Sequence, residues 1–297
     1  MSRISRMKGS GITPRLRCAT MNFPRIGRPV VPREHGAWAV LYGSFLSGLG
    51  VAGQVTLPVG FLLVGITAAA FANGSFTIFA HSAPGLIHEG RRRHALIWFL
   101  LYAAGAAAAL LPLLLVFRMT FLVSFGIGAS FFFVLRMFLI RGREDRTLFG
   151  QLAGTAGLTM IGAVTHGVAL EEVQPVGAVL WVILFLFFAS GVFYVRMRIR
   201  GTIAQRKDVP GISNPEFWPC VMYHALLLIV IPAFVVARIV PWAVLLAFAP
   251  AWWRAAAGLA RGEARLDIRR LGWSEVAVAT AFVVILIAAF HLTPPAG

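Results

Sequence analysis

The sequence predicts an all-α fold: a polytopic membrane helical bundle of about nine transmembrane helices, N-terminus inside and C-terminus outside. Three observations carry this. Of 297 residues, 59% are hydrophobic and only 13% charged, against about 25% charged in soluble domains; mean hydropathy is +0.80. Nine stretches approach or exceed the roughly 17–25 mainly apolar residues that a spanning helix needs. The basic residues fall between these stretches in a strict alternation.

The chain opens with a basic, proline-containing segment, residues 1–32, that lacks an apolar core and so does not read as a signal peptide. It is expected to be a disordered cytoplasmic tail, with Met1 or Met21 as alternative starts. Residues 33–297 read as one transmembrane domain. The expected spans are 36–53, 56–80, 95–117, 120–140, 148–169, 176–197, 219–238, 240–260 and 273–292. The first is the weakest helix former because of Gly43, Gly48 and Gly50, although small residues also permit close helix packing. The longer inner connections are expected over Ala83–His94 and Gly201–Pro219. Asn73 reads as an isolated intramembrane amide hydrogen-bonded between helices.

With the N-terminus inside, 25 of the 27 Lys and Arg fall on inner ends; only Arg118 and Arg238 fall outside, along with the acidic pair Glu171–Glu172. A wrong helix count would scramble that partition, so the positive-inside rule supports both the count and the orientation. The net charge of +16 therefore points to membrane lipids as anionic neighbours and not to nucleic acid. Cys18 and Cys220 form no CxxC pair or disulfide framework. No Walker, Rossmann, GxSxG or HExxH pattern occurs, and paired mid-helix histidines suited to haem are lacking. No cofactor and no metal site is expected.

The residues that invite a chemical reading gather at inner helix ends. Glu34 and His35 open the first helix as candidates for proton transfer, with interface anchoring as the plainer role. His81, His88 and Glu89 flank Pro84–Gly85 and read as loop residues. Arg136 lies about a turn inside the fourth helix, where an arginine needs a partner or must reach water. Tyr194 and Arg198 share one face of the sixth helix, and Arg196 and Arg200 another. His224 lies a turn into the seventh helix, Arg254 near the end of the eighth, and Glu275 at the start of the ninth. The candidate assignments are Glu34, His35, Tyr194 and His224 for proton transfer, and Arg136, Arg196, Arg198 and Glu275 for substrate binding, all converging on one inner polar cavity.

PREHGAWA at 32–39, FYVRMRIR at 193–200 and LGWSE at 271–275 together resemble the YwiC-like family of bacterial integral membrane proteins, across almost the whole chain after about residue 30. That resemblance implies a multi-pass protein of the bacterial cytoplasmic (inner) membrane. The nine-helix layout is also similar to the UbiA-type prenyltransferase architecture, whose Asp-rich motifs after helices 2 and 6 hold Mg²⁺ and an isoprenoid diphosphate. Here HSAPGLIHEG follows the second helix, and Arg196 and Arg198 stand where acidic residues would be needed. The resemblance therefore implies a related layout without the Mg²⁺–diphosphate chemistry. The leading functional reading is binding, and possible transformation, of an amphipathic anionic-headed lipid or isoprenoid-like substrate in a cytoplasm-facing cavity. A small-solute transporter or exporter, and a membrane accessory subunit of another complex, are the alternatives.

Overall fold

A computed structural model describes residues 35–81, 86–205, 215–260 and 267–293. The tail expected over 1–32, and Glu34 with it, lie outside the described residues. Among these the chain forms nine α-helices: α1 His35–Ala52, α2 Leu57–His81, α3 Leu86–Leu115, α4 Leu122–Arg141, α5 Leu148–Leu170, α6 Pro175–Gln205, α7 Phe217–Val236, α8 Val244–Ala260 and α9 Ile268–Leu292. Seven are long and apolar enough to cross a membrane; α1 and α8 contribute the shorter apolar stretches Gly36–Ala52 and Val244–Ala260. At 1.5 Å per residue those two still extend about 26 Å. This is a multi-pass membrane protein, and its exposed aliphatic and aromatic side chains, such as Val64, Phe131, Phe138 and Ile229, meet lipid tails where a soluble protein would meet water.

Two helices outrun their apolar cores. α3 begins at Leu86, so most of the connection expected over Ala83–His94 is helical. The run LIHEGRRRHA after Pro84–Gly85 is rich in Leu, Glu and Arg, all strong helix formers. α6 continues to Gln205 for the same reason, through MRIRGTIAQ. Caps are explicit at two basic-end starts: the Thr147 hydroxyl accepts from the Gly150 N–H, and the Asp267 carboxylate accepts from the N–H groups of Arg269 and Arg270. At the opposite end, α1, α3, α5 and α7 are each followed closely by a residue in the left-handed region: Gly53, Arg118, Glu171 and Arg238, with φ of 72°, 53°, 61° and 57°.

α5 is the central helix, packed on α1, α4 and α6, and more lightly on α2. α1 lies between α5 and α9, and its glycines are why it fits. A Cβ on Gly48 would stand 2.1 Å from the Gly162 carbonyl oxygen of α5, and one on Gly50 would stand 2.3 Å from Ile287 Cδ1 of α9. The first span thus trades helix propensity for close packing.

The bundle has two unequal halves. α6–α9 enclose a dense core around Phe187, Phe248 and Phe282, with the rings of Phe187 and Phe282 stacked at 3.6 Å. In α1–α5 the main hydrophobic cluster lies toward the end opposite the basic clusters, around Phe45, Val59, Leu62, Leu113, Met119 and Val168. α3 packs closely only on its hairpin partner α2. The basic-end portion of this half is hollow.

Candidate functional site

The hollow is a cavity of about 1280 Å³ walled by α1, α2, α3, α4 and α5. Leu122, Phe125, Gly126, Ala129, Phe132, Phe133 and Arg136 line it from α4. Their spacing of three and four is that of a single helix face. α5 closes one wall through an antiparallel seam, where Gly128 meets Met160, Phe132 meets Gly157 and Arg136 meets Gly154. From Trp38 of α1, which lines the cavity, an aromatic run continues through Phe71 of α2 to Tyr102 and Trp98 of α3, with centroids 5.2 Å apart at each step. The lining is apolar over most of its length.

Polar groups lie at one level only. Arg136, His94, Asn73 and Thr77 line the cavity roughly 6–12 Å in from the basic ends of their helices, counting 1.5 Å per residue. The Thr77 hydroxyl donates to the Asn73 carbonyl at 2.9 Å. The Asn73 side chain makes no hydrogen bond among the described residues, and the residue lines the cavity. Arg136 is half-buried, Nη1 lies 3.8 Å from the site where Gly154 would carry a Cβ, and Nε is buried with no hydrogen-bond partner. No carboxylate lines this space among the described residues. An intramembrane arginine with no counter-ion among the described residues is the feature that sets this cavity apart.

The other candidates are divided among separate places. Tyr194, His224 and Glu275 belong to the dense half, gathered round Arg254, which is 8% exposed. Arg254 Nη1 donates to Glu275 Oε2 at 2.5 Å and Nη2 to Ser190 Oγ at 3.0 Å. Its guanidinium lies over the Tyr194 ring at 4.8 Å. Two glycines make the room: a Cβ on Gly258 would stand 2.5 Å from the Tyr194 ring, and one on Gly191 would stand 3.1 Å from Glu275 Oε2. His224 Nδ1 is 2.8 Å from the Cys220 carbonyl, and Cys220 packs with Tyr194 and Met197. This cluster locks α6, α8 and α9 together through a buried ion pair.

Arg196 is a tie of another kind. Nη2 donates to Glu216 at 2.6 Å, and Nη1 donates to the Arg146 carbonyl at 3.1 Å and to Gln151 at 3.3 Å. It thereby joins α6 to the α4–α5 turn, to α5 and to the residue before α7. Arg198 Nη1 donates to the Gly258 carbonyl of α8 at 3.4 Å. Of the six candidates whose side chains are described, Arg136 alone lines the cavity; His35 is placed only as the first residue of α1, and Glu34 lies outside the described residues. His94, Asn73 and Thr77 are cavity residues that sequence reasoning did not select. The signal was a polar residue at the same depth on each of two successive spans, obscured for His94 by its assignment to a loop.

Residues 31–166 match the family model described as YwiC-like protein. FYVRMRIR and LGWSE fall outside that stretch, which runs from just before α1 nearly to the end of α5 and so takes in every helix that walls the cavity. No curated protein and no solved structure matches the chain.

Proposed function

We propose that the protein binds, inside the bilayer, one amphipathic molecule whose anionic head sits at Arg136 and whose apolar tail fills the cavity between α1 and α5. The observation that supports this most is the arginine itself. A guanidinium with a buried, unpartnered Nε in a mostly apolar cavity is costly when empty and is satisfied by a carboxylate or phosphate oxygen. The cavity exceeds the roughly 300–1,000 Å³ of ordinary small-molecule pockets, as an apolar tail requires. Asn73, Thr77 and His94 at the same level offer further hydrogen bonds to the head. In the bacterial cytoplasmic membrane, with the basic ends facing the cytoplasm, the head would sit near the inner leaflet's anionic surface.

On this reading Arg196 and Arg198 are ties between helices, and the Arg254–Glu275 cluster holds the scaffold against which the hollow half rests. The ligand is lipid-like or isoprenoid-like in its tail, and its anion is matched by arginine. The test is native mass spectrometry of the wild type and of Arg136→Ala, both purified into nanodiscs from their native membrane. The wild type is expected to retain an anionic amphiphile that Arg136→Ala loses and Arg136→Lys keeps in part, since Lys keeps the charge without the planar fork. Identical ligand spectra for wild type and Arg136→Ala would refute the reading. Saturable uptake of a small polar solute into liposomes, with no retained lipid, would replace it with transport.

A further inference from the structure

We infer that Gly126 and Ala129, on the cavity face of α4, set the length of the apolar tail that the site accepts. This rests on the amphiphile reading above and adds what that reading leaves open, the measure of its ligand. Both residues line the cavity on the same face as Arg136. A Cβ built on Gly126 meets nothing within 4 Å, whereas one on Gly128, two residues on and about 200° round the helix, would touch Met160 of α5. The space above Gly126 is therefore cavity, not helix seam. Toward the opposite end the lining includes Leu113, which is fully buried, and Leu122, the first residue of α4.

The helix supplies the scale. From Arg136 to Leu122 the lining runs about 21 Å along the axis, from Arg136 to Gly126 about 15 Å, and to Ala129 about 10 Å. An extended chain advances roughly 1.2 Å per bond, as the backbone does at about 3.6 Å per three bonds. A large side chain at Gly126 thus removes room for roughly five carbons, and one at Ala129 room for roughly nine, at these same rises. Glycine and alanine at these two positions keep the channel open past the middle of the membrane.

The experiment is a chain-length series. Saturated alkyl monophosphates from eight to eighteen carbons would be titrated against wild type, Gly126→Phe, Ala129→Phe and Arg136→Ala in nanodiscs of neutral lipid, with native mass spectrometry as readout. For the wild type, affinity is expected to rise with tail length until the tail reaches the level of Leu122. Gly126→Phe should reach its plateau about five carbons earlier and Ala129→Phe about nine earlier, with the shortest probe bound as in the wild type. Arg136→Ala should weaken every probe by a similar factor. If both Phe variants follow the wild-type curve at all lengths, the ruler is wrong and the head assignment stands. If the wild type binds no probe of any length, the amphiphile reading falls and the ruler with it. Using two positions guards against one variant failing to fold, because the displacement of the plateau must scale with depth.

Discussion

Replacing Gly48 with alanine tests the tightest seam in the molecule. The added Cβ would lie 2.1 Å from the Gly162 carbonyl oxygen and 3.0 Å from Thr165 Cβ. Ordinary close C···O contacts are about 3.3–3.6 Å, so α1 must retreat from α5 by about 1 Å; a backbone oxygen in mid-helix cannot swing aside. Overpacking of this kind costs roughly 1–3 kcal/mol. A gap of up to about 1 Å opened along the rest of the seam forfeits a quarter to a half of each affected dispersion contact. The expected total is at or above about 3 kcal/mol, the upper part of that range. It should lower the melting temperature by roughly 6–12 °C if the scaling for chains of 150–250 residues carries over. Gly105→Ala is the control, since a Cβ there meets nothing within 4 Å and alanine in a helix is favoured by roughly 0.5–1 kcal/mol. Both variants would be heated in the same detergent and the folded fraction followed by size-exclusion chromatography. If Gly48→Ala melts within a degree or two of Gly105→Ala, the packing argument for α1 is wrong.

Four other outcomes follow from the same geometry. Glu275→Gln leaves the buried Arg254 without its carboxylate and should destabilise by roughly 3–5 kcal/mol, whereas Arg254→Met with Glu275→Leu should recover much of the loss; thermal melts of the two forms compare them directly. Arg196→Ala removes charge-assisted bonds to Glu216 and Gln151 and should cost about 1.5–3 kcal/mol, read in the same assay, with little effect on ligand retention. Arg118→Gly relieves a left-handed, non-glycine residue (φ 53°) and should raise stability by up to about 1–2 kcal/mol. In a Cys18→Ser, Cys220→Ala background, a cysteine at Arg143 should react with an impermeant thiol reagent only from the cytoplasmic side, and one at Glu171 only from the other; the reverse pattern would overturn the orientation.

The helices were legible because each needs only its own residues: hydropathy fixes the spans, and the alternation of basic clusters fixes their count. Which helices touch is not written locally. Arg136 and Arg196 look alike in sequence, each near the basic end of an apolar span. They differ because Glu216, twenty residues downstream of Arg196, folds back onto it at 2.6 Å, while among the described residues nothing acidic approaches Arg136. Likewise the residues expected to share one polar cavity are split between the hollow and the packed α6–α9 core, where Arg254 and Glu275 neutralise each other. The weak helix preference of α1 was visible in its glycines, but the partners that explain them, Gly162 and Ile287, are more than a hundred residues away.

The pairing of α1 with α9 has a consequence for how the chain reaches this state. His291 Nε2 lies 2.7 Å from the Gly50 carbonyl, across 241 residues of sequence. α9 is the last of the nine described helices to leave the ribosome, so α1 must wait in the membrane with one flank against lipid until synthesis is nearly over. At about 5–20 residues per second that interval is of the order of ten seconds or more. Throughout it the glycine-lined flank of α1 is available to any other small-residue helix nearby. Assembly is thus exposed to wrong pairing until a late stage, and loss of α9 would leave one flank of the first helix uncovered.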